Sequence, residues 1–524
     1  MNQVRSHATS HPPSRQSYLL PSITDLLFIL LLFSFTCGVL APRLLGDAGT
    51  GWHIRNGQNI LATHTIPRVD SFSVTMIGGP WYAWEWLYDL LIAAVYNHLG
   101  LNGVVFVTAL IISATLALVF RIAIARGAVL TLTFVFLLLC VGASSIHFLA
   151  RPHVVSWIMT IAWFWILDSA ARGAYPARLF WLPLLMLLWA NLHGGFVTGF
   201  ILLGIFLAGS AIDSLFARDG EKRQVARKAT VRLALVFTMS AVASLANPYG
   251  YKLHAHVYAY LTNRFFMQHI EEFRRPIFSG LPEQCFVLLL LLAVVGIVAA
   301  RARLEWPEWL LILFSAVSGL YAARNLPVAA MLLTMVVPPL FSHDASDTDR
   351  PSGGFKSRMH AFGVRATETE RSLRGHLWLV VAVFVILGIC LHQGTVFGKQ
   401  LMHSEFSAKK FPVKALDTLK QQGGSEPIFT IDFWGGYLIY RFYPERRVLV
   451  DDRHDLYGEP FLREYLKILH AQPGWESALD AMKVNLILIP TKSELSNALR
   501  TKPTWKPTYE DDVATIFERV GNGR

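Results

Sequence analysis

Apolar residues along this chain gather into long blocks and do not alternate with polar ones. Eleven blocks stand out, at about 19–40, 103–124, 128–149, 154–171, 178–192, 195–216, 231–246, 285–300, 306–322, 326–341 and 376–395. Most approach the ~20 residues a helix needs to cross the hydrocarbon core of a bilayer. The pattern predicts a mainly α, polytopic membrane protein with about 11 transmembrane helices over residues 19–396. The first block, Leu19 to Leu40, exceeds the apolar region of a signal peptide and lacks a small-residue cleavage site. It therefore reads as a retained span.

Between and after the blocks the pattern changes. Residues 1–18 are polar and read as a tail, and 342–375, rich in Ser, Asp, Arg and Gly, reads as a flexible loop. Segments 42–102 and 247–284 are too large for turns. The first contains Trp81-Tyr82-Ala83-Trp84-Glu85-Trp86-Leu87-Tyr88-Asp89, and aromatic residues of this kind concentrate at the headgroup region. Residues 84–98 thus predict an interfacial helix. Beyond 396 the pattern is that of a soluble α/β domain spanning 397–524. Helices are predicted from Pro412 to Gln421, Phe461 to His470 and Trp475 to Met482. Strands are predicted from Pro427 to Ile431, Arg447 to Val450, Val484 to Ile489 and Val513 to Phe517.

Composition sharpens this reading. Of 524 residues 53% are hydrophobic and only 16% charged, against roughly 25% charged in soluble proteins, which excludes a soluble enzyme and a disordered chain. The net charge of +11 suggests nucleic acid until it is located. The C-terminal domain is nearly neutral, and the excess lies in connections between apolar blocks, where it sets topology, so no nucleic-acid partner is expected. With the N-terminus in the cytoplasm, twenty basic residues fall on cytoplasmic segments and nine on the opposite loops up to 396. This predicts an extracytoplasmic C-terminal domain and a bacterial inner-membrane location. Cys37, Cys140, Cys285 and Cys390 all lie in apolar blocks, without metal-ligand spacing.

The first outside loop opens Gly46-Asp47-Ala48-Gly49-Thr50-Gly51-Trp52-His53-Ile54-Arg55-Asn56-Gly57. A carboxylate so close to the membrane is costly unless it is hydrated, paired or used. An acid directly after span one, a Gly-containing helix, the stretch Ile66-Pro67-Arg68-Val69-Asp70 and an aromatic interfacial helix form an order that resembles the glycosyltransferase-C superfamily. These multi-span enzymes take sugars from polyprenyl-phosphate carriers, and the acid of their first outside loop is the catalytic base. The resemblance implies that role for Asp47, while Ala48 stands where many relatives carry a second acid. A second resemblance joins both ends of the chain. The first loop, with Asp432-Phe433-Trp434-Gly435-Gly436-Tyr437 and Val450-Asp451-Asp452-Arg453-His454-Asp455, is similar to a poorly characterised group of bacterial multi-span proteins.

Sugar transfer from a lipid phosphate needs a base for the acceptor hydroxyl and cations for the leaving phosphate. Asp47 is the candidate base, or alternatively the cap of a helix starting near Gly49. Arg324, Arg151 and the pair Arg274/Arg275 are candidate phosphate ligands, though for each one singly a snorkelling side chain at a span end is the plainer reading. Glu85 and Asp89 share one helical face and, with His53 and His193, are candidate sugar or phosphate contacts; a solvated face and a Gly turn are the plainer readings. Arg453 beside Asp451 reads as a buried ion pair. His254, His256, His269 and Glu272 match no metal motif, so no cofactor is expected beyond the lipid-phosphate sugar as substrate, with a divalent metal left open. The implied partners are the lipid bilayer, a polyprenyl-phosphate sugar donor and a glycan, lipid or protein acceptor. Two rival classes fit the same membrane frame: a transporter or flippase, and a non-catalytic assembly scaffold working through 400–524.

Overall fold

The computed structural model describes residues 19–299, 304–341, 355–373 and 375–521, with 355–360 described by backbone alone. The expected tail 1–18 lies outside these residues. Each of the eleven apolar blocks contains a helix: Ile23–Thr36, Trp86–Ala125, Leu130–Ser144, His153–Ala171, Leu182–Leu192, Val197–Phe216, Gly220–Ser244, Leu281–Ala299, Trp306–Tyr321, Leu326–Val336 and Leu377–Leu391. Among the described residues, six helices are long and apolar enough to cross a membrane, or seven if the bent pair Ala361–Ser372 and Leu377–Leu391 is one span. The others are short, as in Ile23–Thr36 and Pro176–Leu192, or begin with a charged turn, as in Gly220–Ser244.

The helical path Trp86–Ala125 breaks at Gly100, whose φ of 60° and ψ of −156° suit glycine and leave the helix. The aromatic segment is thereby set off as its own helix before the span begins. The loop 342–375 is partly a correction. Residues 342–354 lie outside the described set, but Phe355–Ser372 is a helix, not a flexible loop. Glu370 is buried and accepts the Ile23 and Thr24 amides at 2.6 and 3.2 Å and the Thr24 hydroxyl at 2.5 Å. One carboxylate thus satisfies the orphan donors at the start of the first helix, which is what holds this segment in place.

The C-terminal region carries a four-stranded sheet, ordered Ile428–Thr430, Leu486–Pro490, Ala514–Arg519, Trp505–Glu510. The first pair is parallel and the other two are antiparallel. The expected strand at 447–450 is reduced to bridges from Val448 to Ile428 and to Ser73, so the first outside loop continues the sheet. Helix Asp432–Phe442, where sequence periodicity predicts nothing, crosses helix Gly49–Thr63 at very close range. A Cβ on Gly51 would lie 2.5 Å from the Gly436 carbonyl oxygen, and one on Gly436 would lie 2.5 Å from that of Ala48. Only glycines permit this approach. The two motifs of the second resemblance are therefore the two halves of one helix crossing.

Candidate active site

The crossing brings Asp452 over the start of helix Gly49–Thr63, against Asp47 and Arg151. Asp47 Oδ1 accepts the Gly49 amide at 2.7 Å, and its Oδ2 lies 3.2 Å from Arg151 Nη1. Arg151 Nη2 lies 3.6 Å from Asp452 Oδ2. A Cβ at Gly49 would meet Asp452 Oδ2 at 2.7 Å and Asp47 Oδ1 at 2.9 Å, so a glycine is required where these carboxylates close on one guanidinium. The position between the two acids is filled by Arg151. Among the described residues no three His, Cys, Asp or Glu side chains gather to hold a metal ion.

Arg151 and Asp452 form part of the wall of a cavity of about 410 Å³. Glu85, His193, Arg324 and Glu272 share that wall, beside rings of Trp52, Trp81, Trp84 and Trp157. Val197, Ile201, Phe314 and Val328, from three of the helices, add apolar surface to the wall. Arg324 lies 3.5 Å from Glu272 and 4.3 Å over the Phe273 ring. Glu85 stands between two imidazoles, with His193 Nε2 at 3.4 Å and His53 Nε2 at 3.7 Å. His53 and Asp89 lie behind it, joined at 2.5 Å, and Asn56 donates to the other Asp89 oxygen at 2.6 Å.

Burial and proximity set the charges. Burial, reinforced by Asp89, pushes Glu85 up to about 8. Burial also pushes Asp452 up to about 7, with Asp47 adding to the shift and Arg151 opposing it. His193 falls to about 3 through burial and the charges of Arg324 and Arg151, so its ring is neutral. Burial opposes the charge on Arg151, but Asp47 and Asp452 outweigh it and hold the guanidinium fully charged. For Glu272 burial acts upward, yet Arg324 prevails and keeps the carboxylate ionised.

Of the side chains singled out in the sequence, Glu85, Arg151, His193 and Arg324 reach the cavity wall. Asp47 sits one step behind Arg151, and His53 and Asp89 one step behind Glu85. Both alternatives for Asp47 find a contact: it accepts a helix amide and also faces the cation beside the cavity. Arg274 and Arg275 are not on this wall; the Arg274 carbonyl accepts the Ala323 amide at 3.1 Å, which ties its segment to the Arg324 turn. Sequence reasoning assigned no site role to Asp452, Asp455 or Glu272, though Asp452 lay within a noted motif. Asp70 holds a turn by accepting the Phe72 and Ser73 amides at 3.2 and 2.9 Å, and it also pairs with buried Arg453 at 2.8 Å.

This fold has solved counterparts. The oligosaccharyltransferase AglB of Archaeoglobus fulgidus, in complex with an inhibitory peptide and a dolichol-phosphate, superposes with a TM-score of 0.50 at 11% identity, over 90% of this chain and 69% of that one. The apo form of the Archaeoglobus fulgidus enzyme gives 0.48 at 11% identity over the same shares, and its complex with Zn and sulfate 0.39 at 11% over 90% and 68%. At this identity the likeness is one of fold. No family profile and no curated protein sequence matches the chain.

Proposed function

We propose that the chain is a membrane glycosyltransferase that moves a sugar from a polyprenyl-phosphate carrier to an extracytoplasmic acceptor, with Asp47 as general base. In this reading the eleven apolar blocks are eleven spans, the N-terminus is cytoplasmic, and the cavity opens on the outer face of a bacterial inner membrane. The observation that carries it is one cavity lined both by the arginines Arg151, Arg324 and Arg453 and by apolar helix residues, Val197, Ile201, Phe314 and Val328. Such a lining suits a lipid phosphate, with its anionic head and hydrocarbon tail. The likeness in fold to an enzyme solved with dolichol-phosphate supports the same ligand class.

In the reaction the acceptor O–H bond breaks and its proton passes to Asp47, whose carboxylate stands at Arg151 beside the cavity. The acceptor oxygen bonds to the anomeric carbon, and the carbon–oxygen bond to phosphate breaks with its electron pair left on the phosphate. Arg151 and Arg324 neutralise that charge through charge-assisted hydrogen bonds. Residues from the first loop, the spans and the C-terminal domain meet in this cavity, an arrangement that suits acceptor entry from the domain side. Turnover of a polyprenyl-phosphate sugar in matched membranes tests the reading. Asp47→Asn is expected to lower it by about 10²–10⁴-fold. A mutant at wild-type rate removes the base, and labelled-sugar flux into vesicles without covalent product replaces the enzyme with a transporter.

A further inference from the structure

We infer that Glu85, set between His53 and His193, is the subsite that binds the ring hydroxyls of a neutral sugar on the donor. The inference rests on the cavity's being the donor site, and it concerns which part of the donor Glu85 touches.

Glu85 is a cavity-wall carboxyl with no hydrogen bond to either oxygen among the described residues. One neighbour, His193, has a fixed polarity. Trp189 Nε1 donates to Ser156 Oγ at 2.8 Å, which leaves the serine proton for His193 Nδ1 at 2.7 Å. The Gly195 amide donates to the same nitrogen at 3.0 Å. Nδ1 is therefore an acceptor, and His193 Nε2 carries the ring proton towards Glu85. On the other side His53 shares one proton with Asp89 across 2.5 Å. His53 Nε2 is buried without a hydrogen-bond partner and stands behind Glu85, off the cavity wall. At the wall itself a ring N–H donor, His193 Nε2, stands beside the carboxyl.

A hydroxyl oxygen can lie about 2.7–2.9 Å from both His193 Nε2 and Glu85 Oε1, since hydrogen bonds of that length span such a separation at an angle. One ring hydroxyl would accept from His193 Nε2 and donate to Glu85 Oε1, and a neighbouring hydroxyl would meet Glu85 Oε2. Trp52 stacks on His53 at 3.6 Å between ring centroids and also lines the cavity, as does Trp84, so flat apolar faces stand beside the polar row. Glu85 held at about 8 is a neutral acid at pH 7, which neither repels the donor phosphate nor selects a cationic amino sugar.

The test compares binding of a short-chain polyprenyl-phosphate glucose with that of the sugar-free polyprenyl phosphate to the full chain in detergent. Asp47→Asn serves as background so that no donor is consumed. Glu85→Leu is expected to lower the preference for the sugar-bearing carrier roughly tenfold, and Glu85→Gln, which keeps a donor and an acceptor, to preserve it at pH 7. The charged and titratable groups acting on Glu85 are Asp89, Arg151, Asp455 and Arg324, with the neutral rings of His53 and His193 at its oxygens. Above pH 8 Glu85 ionises beside Asp89, so the wild-type preference is expected to fall there while that of Glu85→Gln stays level. An unchanged preference in Glu85→Leu, or parallel pH curves for wild type and Glu85→Gln, overturns the subsite. If neither carrier binds, the donor reading fails, and the inference fails with it.

Discussion

Twice among the described residues an arginine lies between two aspartates, and neighbouring residues of one motif, Asp451 and Asp452, supply one acid to each group. In the first, Arg453 pairs with Asp451 through Nε and Nη2 at 2.8 and 2.7 Å and with Asp70 at 2.8 Å. Tyr457 donates to Asp451, Ser73 donates to Asp70, and Trp81 and Phe72 cover the guanidinium at 4.6 and 5.1 Å. The Arg453 side chain is 2% exposed. In the second, Arg151 is 25% exposed, and its contacts to Asp47 and Asp452 run to 3.2 and 3.6 Å. Both sets border the cavity, but the Arg453 side chain is almost sealed by its partners and rings, whereas Arg151 keeps open surface there. Asp452 Oδ1 has no hydrogen-bond partner, whereas every Asp451 oxygen is used. Burial acts upward on Asp70 as it does on Asp452, but Arg453 and the bonds from Ser73 and Phe72 hold Asp70 below its ordinary value.

Four measurements break or sharpen this contrast. The largest effect is expected for Arg453→Ala, which strands two buried carboxylates and should cost about 3–5 kcal/mol of stability, read as a lowered thermal midpoint in detergent. Arg151→Ala should lower sugar transfer by about 10²–10³-fold with a much smaller thermal shift. Equal thermal losses in the two variants would erase the distinction. Gly436→Ala adds a Cβ 2.5 Å from the Ala48 carbonyl and should cost about 1–3 kcal/mol by forcing the helices apart. Activity should fall with it, since the crossing carries Asp452 to Arg151.

The smallest effect concerns His454, 2.8 Å from Asp432. Burial disfavours its charge, but the hydrogen bond to Asp432 prevails and raises its pKa. Its contribution to stability is therefore complete below about 6.5, the unfolded value, and is lost as pH rises through the folded value. Asp432 is held below its ordinary value, chiefly by His454 against the effect of burial. Its own contribution is present above the ordinary aspartate value and lost as pH falls through the depressed one. Thermal midpoints against pH should bend at both ends in wild type and flatten in His454→Asn. An identical curve in the variant would show that the pair contributes nothing.

Much of this could be read from the chain. Each apolar block proved helical, Glu85, Arg151, His193 and Arg324 share one cavity, and Arg453 is in a buried ion pair beside Asp451. Helix Asp432–Phe442 was not legible, because glycines at 435 and 436 lower local helix propensity and matter only through what they touch. Strand Trp505–Glu510 was missed because its residues are mostly exposed and show no apolar alternation. The helix Phe355–Ser372 was hidden because its one decisive group, Glu370, finds its donors at Ile23 and Thr24.

The sequence alone determined that this is a helical membrane chain with a charged first loop and an α/β tail, because bilayer partitioning and local periodicity are properties of neighbouring residues. Which aspartate is sealed and which stands open was decided only in three dimensions. Desolvation and pairing depend on atoms brought together from residues 47, 151 and 452, and no stretch of contiguous sequence contains that information.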